Sequence, residues 1–297
     1  MLPLYYTYGL SVLHSHLLQG ATVILTGASV VQQPFWQLFD SAGATSLSGV
    51  PMTYALMERA GFFERQLPSL RYFTQAGGKL SHTMHRRCAA FAAERDIRFY
   101  VMYGQTEATA RMSYLPWNRT GEKCGSIGVA IPGGRFQLMS EHGEEITAPN
   151  RDGEMIYYGD NVALGYAECA ADLQRGDDWQ GVLHTGDIAY RDEDGFYYIT
   201  GRKKRFVKLF GNRVSLDECE RLVREAFPLL DCACTGTDDQ VTLYMTAQTQ
   251  EQADEIRAYL AGMLHFPQKA FAVVRCGHIP RTPAGKIQYN RLGVQPN

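Results

Sequence analysis

The 297-residue sequence lacks the cysteine patterns that build disulfide frameworks or zinc ribbons. No Cys-x-x-Cys pair occurs, and the closest two, Cys232 and Cys234, lie in a segment that predicts a strand. Seven cysteines are scattered without regular spacing, at positions 88, 124, 169, 219, 232, 234 and 276. An odd, irregular set in a chain of this length is typical of reduced thiols, so we expect a cytoplasmic location.

The first part of the chain is short of positive charge and of long apolar runs. No Lys or Arg occurs before Arg59, so the basic segment that opens a secretory signal is missing, although residues 1–31 are rich in apolar side chains. Polar residues interrupt every apolar run before it reaches the roughly 18 residues that a spanning helix needs. We therefore expect no membrane span. The net charge of -2 gives no attraction to nucleic acid.

Two further kinds of catalytic site lack support. No Gly-x-Ser-x-Gly sequence is present, which excludes the nucleophile elbow of serine hydrolases. His14 and His16 fall on opposite sides of a predicted helix, while His82 and His85 share a face without a third ligand. A histidine metal site is therefore not expected.

The pattern of apolar residues predicts an α/β fold. Helical and extended segments alternate through the first half, which indicates a largely parallel sheet, and residues 21–25 predict a short buried strand within it. Between residues 125 and 158, short strands separated by Gly, Pro and Asn turns predict an antiparallel, β-rich subdomain. A small α/β unit follows Arg202. We predict two domains, residues 1–203 and 204–297.

Two short motifs carry groups suited to a nucleotide. Residues 103–107, Tyr-Gly-Gln-Thr-Glu, follow an extended segment; the glycine lets backbone approach a ligand, and the hydroxyl and carboxylate suit a phosphate with its Mg²⁺. Residues 185–187, Thr-Gly-Asp, offer a carboxylate that can accept two hydrogen bonds from a cis-diol such as ribose. Each motif alone also fits an ordinary turn with polar side chains on the surface.

Two basic features follow. Residues 202–213 hold six basic side chains and no acidic one, which fits a solvated face, a nucleic-acid patch or a connection between domains. The nearly neutral chain and the lack of aromatic stacking platforms disfavour nucleic acid. Lys286 lies in a Pro/Gly loop, where a single lysine is usually just solvent-exposed. The order and spacing of all four motifs together make coincidence improbable.

Together these motifs resemble the adenylate-forming (AMP-binding) superfamily, and the acyl-CoA synthetases within it. The resemblance implies that Tyr103 stacks on adenine, Thr106 contacts phosphate and Glu107 binds Mg²⁺. It also implies that Asp187 and Arg202 bind the ribose. We therefore expect ATP and AMP as nucleotide ligands.

The resemblance assigns the basic features as well. Lys204 matches the hinge about which the small domain rotates, and Gly211 matches a loop glycine brought toward the substrate by that rotation. Lys286 matches the catalytic lysine, which stabilises the charge that develops as the carboxylate attacks the α-phosphate.

One element of the family pattern is missing, namely the Gly/Ser/Thr-rich phosphate loop with its lysine, which the family carries upstream of these motifs. The resemblance covers only the later part of such an enzyme. We therefore expect an N-terminally incomplete large domain, with a parallel sheet and a β-rich subdomain, followed by a small C-terminal α/β lid domain.

The acyl pocket is expected near two segments. Tyr5 and Tyr6 lie where amino-acid-activating members usually carry an Asp, which favours a carboxylic acid without a free amine. Gly77 and Gly78 match a loop that lines the pocket in the family.

The resemblance implies an enzyme that joins ATP and a carboxylic acid into an acyl-adenylate, with Mg²⁺, and then transfers the acyl group to CoA. The chain could also be inactive alone because it is incomplete. Two other functions stay open: a non-catalytic remnant or interaction module, and an adenylation subunit that loads a carrier protein in trans.

Overall fold

The computed structural model describes residues 2–237, 239–247, 249–282 and 285–293. The chain divides into two compact units. The first comprises Met1–Thr185 with Ala189–Ile199, and the second comprises Gly186–Ile188 with Thr200–Asn297. None of the helices within the described ranges combines the length and apolar character needed to span a bilayer.

The first unit is built on a five-stranded sheet with helices packed around it. Its strands, in pairing order, are β1 (Ser46–Gly49), β2 (Tyr72–Gln75), β3 (Arg98–Tyr103), β4 (Ser113–Leu115) and β5 (Val129–Ala130). Its helices are α1 (Thr7–Leu18), α2 (Gln33–Ser41), α3 (Pro51–Arg59) and α4 (His82–Glu94). The first three strands pair in parallel, whereas β4 and β5 are antiparallel to their neighbours.

The two faces of the parallel strands differ in polarity, because successive side chains on a strand point to opposite sides. One face carries Phe73 and Phe99, which stack with ring centroids 4.7 Å apart inside an aromatic core. The other face carries hydroxyl groups that meet α1. The Thr74 hydroxyl, for example, donates to Ser48 Oγ at 2.9 Å and lies 2.7 Å from the Tyr8 hydroxyl. A polar seam therefore runs between α1 and the sheet.

A second sheet supplies the predicted β-rich part. Its strands, in pairing order, are β6 (Arg135–Met139), β7 (Gly153–Tyr158), β8 (Val182–Arg191) and β9 (Tyr197–Arg202). Strands β6 and β7 are antiparallel, with Phe136 opposite Tyr157 in a separate small core. Strand β5, although within the predicted β-rich segment, joins the first sheet instead.

The second unit is a small α/β fold with its own core. Its elements are β10 (Phe206–Leu209), β11 (Asn212–Ser215), α5 (Leu216–Ala226), β12 (Cys232–Thr237), β13 (Gln240–Met245), α6 (Gln250–Leu264) and β14 (Phe271–Arg275). Strand β13 pairs antiparallel with β12 and parallel with β14. The Ser215 hydroxyl accepts a hydrogen bond from the Glu218 amide at 3.3 Å, so a serine cap begins α5.

The strand predicted at residues 21–25 is wrong. This segment has no regular structure, and Leu25 is 66% exposed. A strand is stabilised by its hydrogen-bonded neighbour, and β1, the first strand in the order of its sheet, pairs with β2 alone among the described strands. The apolar run predicted burial but carried no information about a pairing partner.

A buried histidine is expected to make stability depend on pH. His85 is buried in α4, with Nε2 3.0 Å from the Thr120 carbonyl and Nδ1 accepting from the Gly125 amide at 3.4 Å, and burial lowers its pKa below the ordinary 6.5. Because the unfolded chain binds the proton at higher pH than the folded one, the stabilisation is complete above about pH 6.5 and is lost as pH falls through the folded-state pKa.

We therefore expect the free energy of unfolding in urea to fall as the pH is lowered from 7.5 to 5. The slope should be shallower in His85→Gln, while His142→Gln, at an exposed position, should keep the wild-type slope. An unchanged slope in His85→Gln would show that this ring is not the titrating group.

Candidate active site

The residues 103–107 motif lies at the carboxyl end of β3, the edge of a parallel sheet where ligands usually bind. Gly104 is packed so closely that a Cβ atom there would lie 1.9 Å from the Ala110 carbonyl oxygen. No residue larger than glycine fits at this position without moving the following turn. The motif thus folds back on itself and presents residues 105–107 at the edge of the sheet.

Side-chain contacts tie this motif to other segments of the first unit. The Gln105 amide donates to the Thr185 carbonyl at 2.9 Å and to the Tyr103 hydroxyl at 3.2 Å. The hydroxyls of Thr106 and Thr7 lie 3.0 Å apart. The structure therefore connects Tyr103 and Thr106 to the strand that carries the second predicted motif and to the start of α1.

Glu107 is held by a residue that the sequence motifs did not single out for chemistry. The Tyr166 hydroxyl donates to Glu107 Oε1 at 2.7 Å, and this bond raises the pKa of the tyrosine. The Glu107 carbonyl accepts from the Ala163 amide at 2.8 Å. The carboxylate is thus oriented from a loop almost sixty residues away in sequence.

A magnesium ion fits this arrangement if a nucleotide supplies the other ligands. Mg²⁺ is commonly bound through one or two carboxylates, several waters and substrate phosphates. Across the described ranges, no cluster of three or more His, Cys, Asp or Glu side chains is placed to hold a metal ion. Glu107 would therefore act as a single protein carboxylate toward a nucleotide-bound ion.

Two residues predicted to bind ribose, taken from different motifs, meet in the second unit. Asp187 is only 3% exposed, and its Oδ1 lies 3.2 Å from Arg202 Nε. The arginine side chain is 64% exposed, so the pair presents a guanidinium at the surface above a buried carboxylate. Gly186, which precedes the acid, adopts a left-handed backbone with φ 69°.

The predicted acyl-pocket residues separate into two groups. A Cβ atom on Gly77 would lie 2.5 Å from the Tyr6 hydroxyl, so these residues are in close contact. The Gln75 amide donates to the Gly78 carbonyl at 2.7 Å and fixes the turn. Tyr5, in contrast, is 80% exposed, whereas Tyr6 and Gly77 are half-buried.

The basic segment forms a short turn and a hairpin. Lys204 is exposed in the 3-10 turn Lys203–Arg205 that leads into β10. Gly211 and the preceding Phe210 both have positive φ, 82° and 48°, as a two-residue hairpin turn requires between β10 and β11.

Lys286 is exposed, and Pro283 and Ala284 lie outside the described residues. The Thr282 amide donates to the Lys286 carbonyl at 2.8 Å, and the Lys286 amide donates to Thr282 Oγ1 at 3.2 Å. Arg281 donates to the Gly285 carbonyl at 3.0 Å and pairs with Asp231 at 2.7 Å. The backbone of Thr282, Gly285 and Lys286 is therefore hydrogen-bonded, and Arg281 ties it to Asp231.

Behind this loop lies a buried charged cluster that the sequence did not predict. Glu220 of α5 is 3% exposed and accepts from Arg205 at 2.6 Å and Arg224 at 2.8 Å. Tyr289, three residues after Lys286, donates to the same carboxylate at 3.3 Å, and its ring lies 3.8 Å from the Arg205 guanidinium carbon. The cluster therefore links Arg205, which follows Lys204, to Tyr289, which follows Lys286 by three residues.

Residues 1–167, more than half of the chain, match the model of the family described as AMP-binding enzyme. The chain belongs to the AMP-binding enzyme family. The resemblance inferred from the four motifs is therefore confirmed at the level of the family.

Curated relatives of this AMP-binding enzyme are CoA ligases. The sulfoacetate–CoA ligase of Cupriavidus necator is 28% identical over 98% of the chain, and the oxalate–CoA ligase of Arabidopsis thaliana is 29% identical over 97%. The chain spans 57% of the length of each.

Solved structures confirm the predicted α/β fold class of adenylate-forming enzymes. The o-succinylbenzoate CoA synthetase from Bacillus subtilis, in complex with its acyl-adenylate intermediate, superposes with a TM-score of 0.80 at 23% identity. The likeness covers 99% of this chain and 60% of the synthetase. The same enzyme with ATP and magnesium ion gives a TM-score of 0.76 over 98% of this chain and 60% of that one, also at 23% identity.

Proposed function

We propose that the chain belongs to an AMP-forming acid–thiol ligase. In the first half-reaction, a carboxylate oxygen attacks the α-phosphorus of ATP, which gives an acyl-adenylate and pyrophosphate. In the second, a thiolate attacks the acyl carbon, which gives a thioester and AMP. The family match and the CoA ligases among the relatives support this reaction.

The observation that carries the proposal is the Asp187–Arg202 pair. Two residues from motifs on different strands, both expected at the ribose, lie 3.2 Å apart. A carboxylate that is almost fully buried forms strong hydrogen bonds because little water competes. We assign Asp187 and Arg202 to the ribose, Tyr103 to the adenine and Thr106 to phosphate.

Glu107 is assigned to Mg²⁺, with Tyr166 orienting its carboxylate. A magnesium ion held there would neutralise negative charge on the leaving pyrophosphate. The protein's own contribution there is to hold the Glu107 oxygens in a fixed direction.

The second half-reaction requires a different set of residues. We propose that residues 204–297 form a mobile lid that turns about Lys204, brings Lys286 to the adenylation site and Gly211 to the thiol site. The exposed position of Lys204 and the short turn around it suit a hinge, since a hinge residue must change φ and ψ without losing packing.

The acid is proposed to lack a free amine and to bind near Tyr6, Gly77 and Gly78, with Tyr5 at the edge. CoA is the proposed acceptor, because the relatives named above are CoA ligases. A cytoplasmic location is proposed as well, supported by seven unpaired cysteines.

Calorimetric titration with AMP and ATP tests the nucleotide site. Removing a charged hydrogen-bond acceptor costs about 1.5–3 kcal/mol, so Asp187→Asn should weaken AMP binding about ten- to hundredfold. Asp160→Asn, at an exposed position of the first unit, should bind AMP like the wild type. Wild-type protein that binds neither nucleotide would refute the proposal and favour a non-catalytic interaction module.

A further inference from the structure

Among the described residues, three arginines have a buried Nε atom that makes no hydrogen bond of ordinary geometry, and one of them differs from the others. Arg65 lies over the ring of Trp36 at 4.6 Å, whereas Arg119 lies over Phe196 at 5.1 Å and has its Nε 3.0 Å from Glu122 Oε2. Aromatic faces stabilise those two guanidinium groups. The Arg111 guanidinium donates to Ser15 Oγ at 3.5 Å, its Nε has no hydrogen-bond partner, and among the described residues it forms no ion pair with a carboxylate.

The backbone around Arg111 is held in a strained shape. Thr109 and Ala110, which precede it, both have left-handed φ, 52° and 71°, and this conformation costs about 1–2 kcal/mol per residue. The Asn161 amide donates to the carbonyls of Ala108 at 2.7 Å and Arg111 at 3.0 Å. The strain therefore persists because a side chain from a distant loop fixes the turn.

A further hydrogen bond supports the contacts of Asn161. The Tyr157 hydroxyl donates to Asn161 Oδ1 at 2.8 Å, which sets the direction of the Asn161 amide. A Cβ atom on Gly104 would lie 3.0 Å from Arg111 Cα, so the arginine backbone lies directly against the nucleotide motif. This construction places a guanidinium beside the carboxyl end of β3, where parallel sheets bind ligands.

A hydroxyl group, that of Ser15, accepts from the guanidinium, and no described carboxylate forms an ion pair with it. Its positive charge acts on the Tyr8 hydroxyl, opposing the effect of burial, which raises the pKa of that tyrosine to about 12. The Tyr8 ring meets the Tyr6 ring edge-on, with centroids 6.5 Å apart. The charge of Arg111 is therefore felt at Tyr8, whose ring meets Tyr6, and Tyr6 in turn contacts Gly77 in the proposed acyl pocket.

We propose that Arg111 binds an anionic group on the acyl part of the substrate, so that the acid carries a second carboxylate or sulfonate besides the carboxylate that is activated. A guanidinium forms paired hydrogen bonds with either group, and a partly buried cation without an acid nearby gains most from such a partner. The inference rests on the proposed function, since it specifies the acid that this site would activate.

Matched pairs of acids test the proposal by calorimetry on the full chain. The pairs are malonate with propanoate, succinate with butyrate, and glutarate with pentanoate; the members of a pair differ mainly in one terminal carboxylate. For at least one pair, wild-type protein should bind the dianion about tenfold or more tightly, the usual worth of a charged hydrogen bond. No preference in any pair would overturn the inference.

Substitutions assign the preference to the residue. Arg111→Gln should reduce the ratio of dianion affinity to monoanion affinity to about one. Arg111→Lys should give an intermediate ratio, because lysine keeps the positive charge but lacks the paired N–H donors of the guanidinium. Arg98→Gln, an exposed arginine of the same unit, should keep the wild-type ratio. A preference that survives Arg111→Gln in a protein with wild-type thermal unfolding would assign Arg111 to fixing α1 through Ser15, and would also overturn the inference.

Titration of the same variants with AMP separates this inference from the proposed function. Intact AMP binding without an Arg111-dependent preference would sink the anion site and leave the nucleotide site. An Arg111-dependent preference in a protein that binds no AMP would support the anion site and contradict the nucleotide site.

Discussion

Replacing Lys286 with alanine is expected to lower carboxylate-dependent exchange of pyrophosphate into ATP by about 10²–10³-fold, the usual loss when one preorganised donor to a developing negative charge is removed. The lysine is exposed, and its ammonium is a compact charge on a flexible stem that can reach a phosphate oxygen in the transition state. The hydrogen bonds of the Lys286 amide and carbonyl with Thr282 do not depend on the lysine side chain, so they remain when it is shortened.

The matched control is Lys269→Ala, which removes an exposed lysine from the same unit and should leave exchange within about twofold. The acyl-adenylate, prepared chemically, should still react with CoA in the Lys286 variant, because the lysine is assigned to the first half-reaction only. Exchange at the wild-type rate in Lys286→Ala would remove the lysine from the mechanism. Equal loss in both half-reactions would indicate damage to the whole second unit.

Candidate site residues can be proposed from sequence where a short motif carries the chemical groups. Tyr103, Thr106 and Glu107 lie within five consecutive positions. The hydroxyl and the carboxylate suit phosphate and Mg²⁺, whereas the role of Tyr103 is implied by the family resemblance alone. The contacts that orient them could not be predicted in this way. Tyr166 holds Glu107 from 59 residues away, a separation at which spacing carries no information about contact.

The fold shows the same division between local and distant signals. Strands β12 and β13 and the helices α5 and α6 follow from alternation and from apolar residues on one helix face. Residues 21–25 have equally apolar side chains and yet form no strand, because strand formation depends on a neighbour elsewhere in the chain.

The burial of Glu220 could not be predicted from the sequence either. It lies on α5 between Leu216 and Val223, on the face that turns toward the core, where an acid is unexpected. The arginine that compensates it most closely, Arg205, comes from the turn after Lys204, and helical spacing gives no hint of that contact. Only Arg224, four residues later on the same helix, follows a recognisable i,i+4 pattern.

The buried carboxylate satisfies several donors at once. Besides the two arginines, the Cys234 amide donates to Glu220 Oε1 at 2.8 Å. Burial alone would lower the pKa of Arg205, but the charges of Glu220 and Asp217 more than offset it and the pKa is raised. Burial, together with the charge of Glu220, raises the pKa of Tyr289, so this phenol stays protonated as a donor.

Glu220→Ala is therefore expected to lower the free energy of unfolding of the second unit by about 3–5 kcal/mol, the usual cost of leaving a buried charge without its partner. Urea unfolding followed by circular dichroism measures the change, with Glu225→Ala as the control on the same helix. Glu225 pairs with Arg221 at the surface, so its loss should cost no more than about 1 kcal/mol. Equal losses in the two variants would mean that the cluster contributes specificity rather than stability.

Because Tyr289 follows Lys286 by three residues and donates to Glu220, the Glu220→Ala variant should also exchange the amide hydrogens of residues 285–289 faster than the Glu225→Ala control does. Such a result would connect the buried acid to the position of the proposed catalytic lysine.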